Sequence, residues 1–420
     1  MIRRKLFGEL KAHLQAPEIS LLVGPRQVGK TTLMLHLQEY LEKQGYKTLF
    51  LSLDFEKDWP LFSSQETFLK KLELEFGRQK GFVFIDEIQR RENAGLFLKG
   101  LYDRRLPYKF IVSGSGSLEL KEKIHESLVG RKRLFELTPV SMEEFLNYRT
   151  GYRYEGRLAL FCELHPDEVG VLLQEYLNFG GYPRVITATT HQEKRWTISE
   201  IFNSYLERDI SYLIRSDRIG IFRDLIRLLA AQIGSLINYS ELSNTLGLSL
   251  ATIKNYLWYA EKTFILKRVT PFFKNIRKEI SRAPICYFYD LGLRNYAVGL
   301  FGQLEHPQEK GFVFENLVFN LLSEKLRHTG ASIHFWRTKE GAEVDFVVNF
   351  VREIIPVEAK FQKFKAPKIS RALRSFIRKY QPNQALIINQ NLKASLEVDK
   401  TQVFFWPIWD FALSPSFLEG

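Results

Sequence analysis

The chain has 420 residues, of which 45% are hydrophobic and 26% are charged. These proportions are typical of globular proteins and exclude a disordered chain or a fibrous repeat, and the length predicts about two to four domains. Sixty Lys and Arg residues against 48 Asp and Glu leave a net charge of +12, which favours polyanionic partners such as nucleic acid.

Cysteine content and hydropathy indicate the compartment. Cys162 and Cys286 are too few for a disulfide framework or a zinc cluster, which is typical of a reducing cytosol. The N-terminal segment has no signal-peptide core, and no later stretch reaches about eighteen uninterrupted apolar residues. We therefore expect a cytoplasmic protein with no membrane partner.

The first predicted domain, residues 1–145, alternates apolar runs with amphipathic segments. The runs are ISLLV, TLFLSL, FVFID, KFIVS and RLFEL, at positions 19–23, 48–53, 82–86, 109–113 and 133–137. Short apolar strands that alternate with helices are typical of a parallel sheet covered on both faces. The sequence therefore predicts an α/β fold for this domain.

A phosphate-binding loop joins the first apolar run to the first amphipathic helix. Its residues Gly24 to Thr31 follow the pattern G-x-x-x-x-G-K-[ST]. In such loops backbone N–H groups surround the phosphates of ATP, the lysine neutralises β and γ oxygens, and the following hydroxyl binds Mg²⁺. We predict ATP and Mg²⁺ as cofactors, with Lys30 as a catalytic residue and Thr31 as a metal ligand. The predicted nucleotide-binding residues are Gly24, Gln27, Val28, Gly29, Lys30, Thr31 and Thr32.

Two further strands of this domain end in polar groups. Asp86 and Glu87 follow the run FVFI, and Ser113 ends the run KFIVS. Ligands of parallel sheets bind at the carboxyl ends of the strands, so we predict that Asp86 holds the Mg²⁺ hydration shell. Glu87 is then the base that polarises the attacking water. Ser113 is predicted to place a hydroxyl near the γ-phosphate, although an ordinary Ser/Gly turn fits the same residues.

Residues 146–215 are predicted to form a helical lid, and residues 216–285 a winged helix. The lid is interrupted at Asn178–Pro183, where two glycines and a proline break any helix. In the next region, a short helix capped at Ser240 ends at Gly247, and a second helix begins after Ser249. A helix, a glycine turn and a second helix are the plan of a helix-turn-helix.

A basic stretch follows this helix pair and is interpreted as the wing. Its basic residues are Lys267, Arg268, Lys274, Arg277, Lys278 and Arg282. The aromatic residues interleaved with them or preceding them are Tyr256, Trp258, Phe272 and Phe273. Positive charge beside aromatic rings suits phosphate and stacking contacts, so DNA is the predicted partner. A platform for contacts between domains is the alternative.

The last predicted domain, residues 286–420, carries a group of acidic residues. Asp345 lies near the start of one predicted strand, and Glu358 and Lys360 lie on one face of the next. As catalytic residues, Asp345 and Glu358 are predicted to share Mg²⁺, while Lys360 positions or activates a water. Glu315, on a preceding helix, is a further candidate metal ligand. Because Asp followed by Glu-x-Lys is a common pattern in charged chains, a domain that binds without cutting is the alternative.

Several of these segments resemble a known family. Asp86–Gln89, Ser113–Ser115, Ser127–Arg131 and Leu137–Phe145 are similar to bacterial and archaeal AAA+ ATPases that combine AAA_14 and DUF4143 domains, and the resemblance covers nearly the whole chain. It implies that the strand ending in Ser113 lies between the strands of the phosphate loop and of Asp86. It also implies that Arg131 is a catalytic arginine finger that reaches the nucleotide of a neighbouring subunit, so that a homo-oligomer is expected. A basic surface residue is the alternative for Arg131.

The resemblance extends to the lid and to the C-terminal acids. Gly180–Arg184 and Tyr205–Asp209 are similar to lid motifs of the family, in which Arg208 is either a second sensor or an ion-pair partner of its acidic neighbours. The C-terminal acids resemble the PD-(D/E)xK nuclease core, which implies an α/β restriction-endonuclease-like domain. Val344 stands where that motif often has a proline.

The sequence thus predicts a multidomain α/β protein: an AAA+ P-loop ATPase with a helical lid, a winged helix and a nuclease-like domain. The predicted function is ATP binding and hydrolysis on DNA, coupled to a Mg²⁺-dependent nuclease-like domain. The alternative is a nucleotide-dependent regulator that binds DNA or protein without cleavage. A protein-remodelling ATPase is the weakest candidate, because no substrate-pore loop is evident.

Overall fold

The computed structural model describes residues 1–115, 128–211, 213–273, 279, 282–350 and 352–414. Its N-terminal sheet consists of β1 (Ile19–Gly24), β2 (Lys47–Ser52), β3 (Gly81–Asp86), β4 (Tyr108–Ser115) and β5 (Lys132–Glu136). Neighbouring strands are parallel, in the order β2-β3-β4-β1-β5. The predicted parallel sheet is confirmed, and β4 lies between the phosphate-loop strand and the Asp86 strand, as the family resemblance implied.

Helices cover both faces of this sheet. They are α1 (Leu6–Ala12), α2 (Lys30–Lys43), α3 (Gln65–Phe76) and α4 (Ala94–Asp103). Along β3, Phe82 and Phe84 belong to the core on the α2 side, whereas Val83 and Ile85 belong to the core with α3 and α4. Because side chains alternate along a strand, a run buried on both faces is expected to be mainly apolar. Every residue of β1 and β3 is buried.

The next region is helical. It contains α5 (Met142–Arg149), α6 (Leu158–Leu164), α7 (Pro166–Phe179), α8 (Pro183–Thr187) and α9 (His191–Tyr205), and α9 continues into a π-helical turn at Leu206–Ile210. The predicted interruption falls between α7 and α8. There Gly180 has a φ of +72°, and a Cβ on it would lie 2.6 Å from the Asp290 carboxylate. The chain therefore turns where the glycine allows a close contact with a later segment.

The helix-turn-helix pair is present. The helices of this region are α10 (Ile219–Ala231), α11 (Tyr239–Leu246) and α12 (Leu250–Lys262), and β6 (Leu266–Val269) pairs antiparallel with β7 (Ile285–Phe288). Gly247 ends α11 with a φ of +63°, and Ser249 caps α12 by accepting from the Thr252 N–H. The cap of α11 is Asn238 rather than Ser240, because the helix begins earlier than predicted. Of the predicted wing, Lys274, Arg277 and Lys278 lie outside the described residues, and the predicted border at 285/286 falls within β7.

The C-terminal region is a mixed sheet with helices. The helices are α13 (Leu291–Ala297), α14 (Pro307–Lys325), α15 (Arg371–Tyr380) and α16 (Ile408–Leu413). The strands are β8 (Ser332–Arg337), β9 (Glu343–Asn349), β10 (Ile354–Ala359), β11 (Gln384–Asn389), β12 (Ala394–Val398) and β13 (Thr401–Pro407), in the order β12-β13-β11-β10-β9-β8. β9 and β10 are antiparallel neighbours joined by the predicted turn, with Asn349 opposite Ile354. In the part of the chain that the structure describes, no helix is both long and apolar enough to span a membrane.

Candidate functional site

The phosphate loop leaves the carboxyl end of β1 and enters α2. A Cβ on Gly24 would lie 2.1 Å from the Leu137 carbonyl oxygen, so only glycine fits there. Gly29 precedes α2 with a φ of +96°, which glycine adopts without strain. Lys30 is buried, and its ammonium donates to the carbonyl oxygens of Gly24 at 3.0 Å and Pro25 at 2.9 Å. The loop thus keeps its lysine folded against its own backbone.

Hydroxyl groups connect the loop to the acids of β3. The Thr31 hydroxyl donates to one Asp86 carboxylate oxygen at 2.8 Å, and the Ser113 hydroxyl donates to the other. Ser113 also accepts from the backbone N–H of Glu87 at 3.2 Å, and Glu87 has a φ of +55°. The structure therefore brings the predicted residues of three strands together at the carboxyl edge of the sheet.

Burial shifts the acid–base properties of this edge. Burial lowers the pKa of Lys30, although the nearby carboxylates of Glu87, Asp209 and Asp86 oppose this effect. Burial also raises the pKa of Glu87, with Lys30 acting in the opposite direction. A glutamate with a raised pKa beside a phosphate loop has the properties expected of a general base.

The other predicted loop residues differ in their surroundings. Val28 is buried, and its carbonyl oxygen accepts from Arg4 at 2.9 Å. The Gln27 side chain accepts from Arg184 at 2.8 Å, so a lid residue rests on the loop. Thr32 is exposed at the start of α2.

The arginines implied by the family resemblance lie apart from one another. Arg131 precedes β5 at the amino edge of the sheet, and its Nε donates to Asp103 at 2.7 Å. Arg131 is therefore far from the phosphate loop of its own chain, as a residue that acts on a neighbouring subunit would be. Ser127, in the same segment, lies outside the described residues. Arg208 is exposed, and its neighbour Asp209 forms an ion pair with Arg26 of the phosphate loop at 2.9 Å.

Two of the aromatic residues expected to stack on DNA are buried. Tyr256 is in edge contact with Phe222, with ring centroids 5.5 Å apart. Phe272 lies in the core of the C-terminal sheet with Trp336 and Phe376. The stacking interpretation is therefore wrong for these two residues, because tertiary packing uses their rings. Trp258 and Phe273 are partly exposed.

A second polar site lies on the C-terminal sheet. The register that pairs Val357 with Phe346 places Glu358 opposite Asp345 on the neighbouring strand. The Lys360 ammonium lies 3.3 Å from an Asp345 oxygen and 3.7 Å from a Glu358 oxygen. The second Glu358 oxygen accepts from the Ser370 hydroxyl at 2.5 Å, and Ser370 also caps α15. The structure thus brings Asp345, Glu358 and Lys360 together.

Burial and neighbouring charges shift the pKa values of the residues in this second site. Burial raises the pKa of Glu358, whose side chain is 2% exposed. Burial alone would lower the pKa of Lys360, but the attraction of Asp345 and Glu358 outweighs it and raises the pKa. Lys360 is therefore protonated at neutral pH, a state that suits positioning and charge stabilisation rather than abstraction of a proton.

Glu315 faces a different partner. The Tyr287 hydroxyl, on β7, donates to a Glu315 oxygen, and a Cβ on Gly234 would lie 2.7 Å from the same oxygen. Burial and the nearby Asp345 raise the pKa of Glu315 to about 8. Among the described residues, no three His, Cys, Asp or Glu side chains are grouped closely enough to hold a metal ion by themselves.

Family models cover most of the chain. Residues 16–146 match the AAA_14 model, described as an AAA domain, and residues 310–411 match DUF4143, a domain of unknown function. The chain belongs to the AAA_14 plus DUF4143 family. Residues 171–304 of this family member match a further domain of unknown function, DUF8612. The N-terminal domain is thus a nucleotide-binding ATPase domain of the AAA type.

Relatives of this AAA_14 plus DUF4143 protein occur in several organisms. An uncharacterized protein of Mycobacterium tuberculosis is 27% identical over 376 residues, which are 89% of this chain and 76% of the relative. An uncharacterized protein of Haemophilus influenzae is 25% identical over 402 residues, which are 93% of this chain and 94% of the relative. Among solved structures, the replication initiator DnaA bound to AMPPCP and single-stranded DNA is 13% identical over 62% of this chain and 90% of that one. Its TM-score is 0.32, too low to support an argument about this chain.

Several residues of the two sites were missed by sequence reasoning. No sequence pattern indicates that Asp209 contacts Arg26 or that Ser370 contacts Glu358. Tyr287 lies on β7, in the segment that matches DUF8612, and contacts Glu315 in the segment that matches DUF4143. Asp290 accepts from the Gly181 N–H at 2.6 Å and also caps α13. Of these contacts, only the cap had a local signal, an aspartate just before a helix.

Proposed function

We propose that this chain is a cytoplasmic AAA+ protein that binds and hydrolyses ATP and acts on DNA, with a Mg²⁺-dependent nuclease-like domain at its C-terminus. The observation that carries the ATPase part is the hydrogen-bonded group at the carboxyl edge of the N-terminal sheet. There the Asp86 carboxylate accepts hydrogen bonds from the hydroxyl groups of Thr31 and Ser113, next to the buried Lys30.

In the proposed reaction, these residues have separate tasks. Lys30 exchanges its contacts with the loop carbonyl oxygens for contacts with the β- and γ-phosphate oxygens. Glu87, the only predicted base at this edge among the described residues, orients the attacking water and accepts its proton. Through its two hydrogen bonds, Ser113 holds the Asp86 carboxylate and the Glu87 backbone in position, so it acts as a positioning residue.

The Thr31 hydroxyl and the Asp86 carboxylate fit a Mg²⁺ ion. Both are oxygen ligands of the hard type that Mg²⁺ prefers, and they already lie 2.8 Å apart. Mg²⁺, when bound, neutralises charge on the β- and γ-phosphate oxygens.

Cooperation between subunits is part of the proposal. Arg131 lies at the amino edge of the sheet and is paired with Asp103, so it contributes nothing to the phosphate loop of its own chain. An arginine in this position completes an ATPase site when a second copy brings it to the γ-phosphate. We therefore expect a homo-oligomer as the active form.

The proposed nuclease site uses Asp345, Glu358 and Lys360. Two carboxylates fit a Mg²⁺ ion whose other ligands are water and a substrate phosphate, which is the usual mode of Mg²⁺ binding in proteins. Lys360, protonated between them, is suited to stabilise negative charge at the phosphate that is cut. Close to this site, α15 carries Arg371 and Arg374, and its N-terminal cap Ser370 contacts Glu358.

One observation favours the second candidate function, DNA or protein binding without cleavage. Glu358 is almost fully buried, and the Lys360 ammonium already neutralises it together with Asp345. A carboxylate pair satisfied by a lysine needs no metal for stability. Under this alternative, ATP controls binding alone.

A cleavage assay on the whole 420-residue chain distinguishes the two candidate functions. The protein is incubated with Mg²⁺ or Mn²⁺ and labelled duplex, single-stranded or four-way DNA, with and without ATP. Cleavage that is lost in Asp345→Ala and Lys360→Ala but kept in Glu397→Ala supports the nuclease; Glu397 is an exposed acid on β12 of the same sheet. If no DNA is cut while DNA stimulates ATP turnover, the non-cleaving regulator is correct.

The ATPase part has its own test. ATP turnover and AMPPCP affinity are measured for the wild type, Lys30→Ala and Glu87→Gln. We expect Lys30→Ala to lose affinity, and Glu87→Gln to bind the nucleotide but not hydrolyse ATP. Turnover that survives both substitutions would overturn the ATPase mechanism.

A further inference from the structure

An ion pair joins the phosphate loop to the lid. The Arg26 Nε donates to one Asp209 oxygen at 2.9 Å, and the two side chains are 19% and 6% exposed. None of the residues described in the structure hydrogen-bonds the NH1 or NH2 group of Arg26. The guanidinium therefore keeps its planar, two-nitrogen end as a donor, the end that suits a phosphate.

Asp209 is an unusual neighbour for a phosphate loop. It lies on the π-helical turn that ends α9, and its second carboxylate oxygen is buried and has no hydrogen-bond partner among the residues that the structure describes. Burial raises the pKa of Asp209, and Arg26 is the main group that opposes this. The negative charge of Asp209 also acts to raise the pKa of Lys30, the residue that should bind the phosphates.

These contacts set up a competition. A triphosphate bound at the loop presents several charged oxygens to Arg26, whereas only one oxygen of Asp209 accepts a hydrogen bond from it. A buried carboxylate that loses its cation next to a polyphosphate is strongly unfavourable. The π-helical turn, a rare conformation that is frequent at functional sites, would then have to leave its place.

The turn is connected to the helix-turn-helix. The Tyr205 hydroxyl, at the last residue of α9, forms a hydrogen bond of 2.6 Å with the Thr263 hydroxyl, at the end of α12. Tyr205 also packs near Phe222 of α10, with ring centroids 6.4 Å apart. Movement of residues 206–210 therefore acts on the second helix of the pair.

We propose that Arg26 is a phosphate-binding residue that Asp209 holds in the absence of ATP, and that ATP, by taking Arg26, releases the π-helical turn and so acts on the helix-turn-helix. This inference rests on the ATP binding proposed above. It assigns to Asp209 the role of a nucleotide sensor in the lid, through an acidic side chain rather than an arginine.

Hydrogen exchange of the full-length protein tests the release. Exchange is followed in peptides covering 206–210 and 250–263, with AMPPCP and Mg²⁺, with ADP and Mg²⁺, and without nucleotide. We expect AMPPCP to speed exchange at 206–210 by about tenfold and ADP to change it little. Unchanged exchange at saturating AMPPCP would overturn the inference.

Substitutions test the exchange of partners. In Asp209→Asn, the charge that holds Arg26 is lost and no carboxylate can be left buried without a cation, so we expect slow exchange at 206–210 both with and without AMPPCP, and AMPPCP affinity about three- to tenfold higher. The matched control is Asp224→Asn, an exposed aspartate on α10, which should behave as the wild type. If AMPPCP still speeds exchange at 206–210 in Asp209→Asn, or if the variant keeps wild-type affinity, the inference is wrong.

Arg26→Gln provides a second variant in case Asp209→Asn does not fold. It should bind AMPPCP about tenfold or more weakly, show fast exchange at 206–210, and lose the response to AMPPCP. A wild-type response in Arg26→Gln would contradict the inference. If the wild type binds no AMPPCP in a calorimetric titration, the proposed ATPase function itself is wrong. If it binds AMPPCP but exchange at 206–210 does not change, only the inference about Arg26 and Asp209 is wrong.

Discussion

Ser113 offers a sharp test of how the ATPase edge is organised. Its hydroxyl, fully buried on β4, donates to Asp86 and accepts from the Glu87 N–H at 3.2 Å. The Ser113→Ala substitution removes both contacts and leaves the Glu87 N–H buried without this acceptor. We expect turnover to fall sharply while ATP affinity changes little, because the contacts of Lys30 are untouched.

The size of the effect follows from the two contacts. A hydrogen bond to a charged carboxylate contributes about 1.5 to 3 kcal/mol, and a neutral one about 0.5 to 1.5 kcal/mol. If about 2 to 4 kcal/mol of this total acts on the transition state, kcat falls by about 30- to 1,000-fold. The measurement is steady-state ATP turnover together with calorimetric titration of AMPPCP.

Ser20→Ala is the matched control. Ser20 is equally buried on the neighbouring strand β1, but its hydroxyl contacts His13 at 2.8 Å near the amino end of that strand. Thermal unfolding of both variants accounts for any general loss of stability. If Ser113→Ala turns over ATP within about threefold of Ser20→Ala, the positioning role of Ser113 is refuted.

Three further predictions concern acid–base behaviour and assembly. Because burial raises the pKa of Glu87, the base is protonated at a higher pH than an ordinary glutamate, so kcat should fall on acidification earlier than expected. A pH–rate profile that stays flat down to about pH 5 would contradict this. Arg131→Ala and Lys30→Ala should each be inactive alone but recover turnover when mixed, since a hybrid interface pairs one intact loop with one intact arginine; mixtures without activity would argue against action between subunits. Burial raises the pKa of Asp290 from 3.8 to about 6, so its contribution to stability is complete below about pH 4 and is lost as the pH rises through about 6. Asp290→Asn, which cannot ionise, should therefore gain about 3 kcal/mol relative to the wild type between pH 4 and pH 8 in urea unfolding, and a constant difference would contradict the assignment.

The nucleotide site could be predicted from the sequence because its signals are local. The phosphate loop is a continuous motif, and Asp86 and Ser113 each end an apolar run that can only be an internal strand. Parallel strands bring their carboxyl ends to one edge whatever their order, so proximity follows without knowledge of the topology. Even so, the hydrogen bonds that join Thr31, Asp86 and Ser113 required the structure.

Contacts between distant segments could not be predicted in this way. Asp209 follows Arg26 by 183 residues in the sequence, and no periodicity or spacing connects them. The same holds for Phe272, which was expected to face DNA. Its backbone N–H instead donates to the Phe335 carbonyl at 2.6 Å, which draws the ring into the C-terminal core. An aromatic residue in a basic stretch fits either environment, and only the path of the chain decides between them.

The helix that carries Glu315 ties the C-terminal site to the ATPase core. On α14, Asn316 exchanges hydrogen bonds with the backbone of Phe288 on β7, at 2.8 Å for both, beside the contact of Glu315 with Tyr287. Nine residues further along, Glu324 pairs with Lys5 at 3.1 Å.

A helix rises about 1.5 Å per residue, so Glu315 and the contact with Lys5 lie about 14 Å apart on one stiff element. We therefore expect a displacement of the N-terminal segment relative to β7 to act on α14 and to change the surroundings of Glu315. Burial and the nearby Asp345 raise the pKa of Glu315, whereas the hydrogen bond from Tyr287 on β7 lowers it, so a change in these contacts would also change the charge of Glu315. We therefore expect the carboxylate site to respond to the ATPase domain, and its chemistry should be measured in the intact chain rather than in an isolated C-terminal fragment.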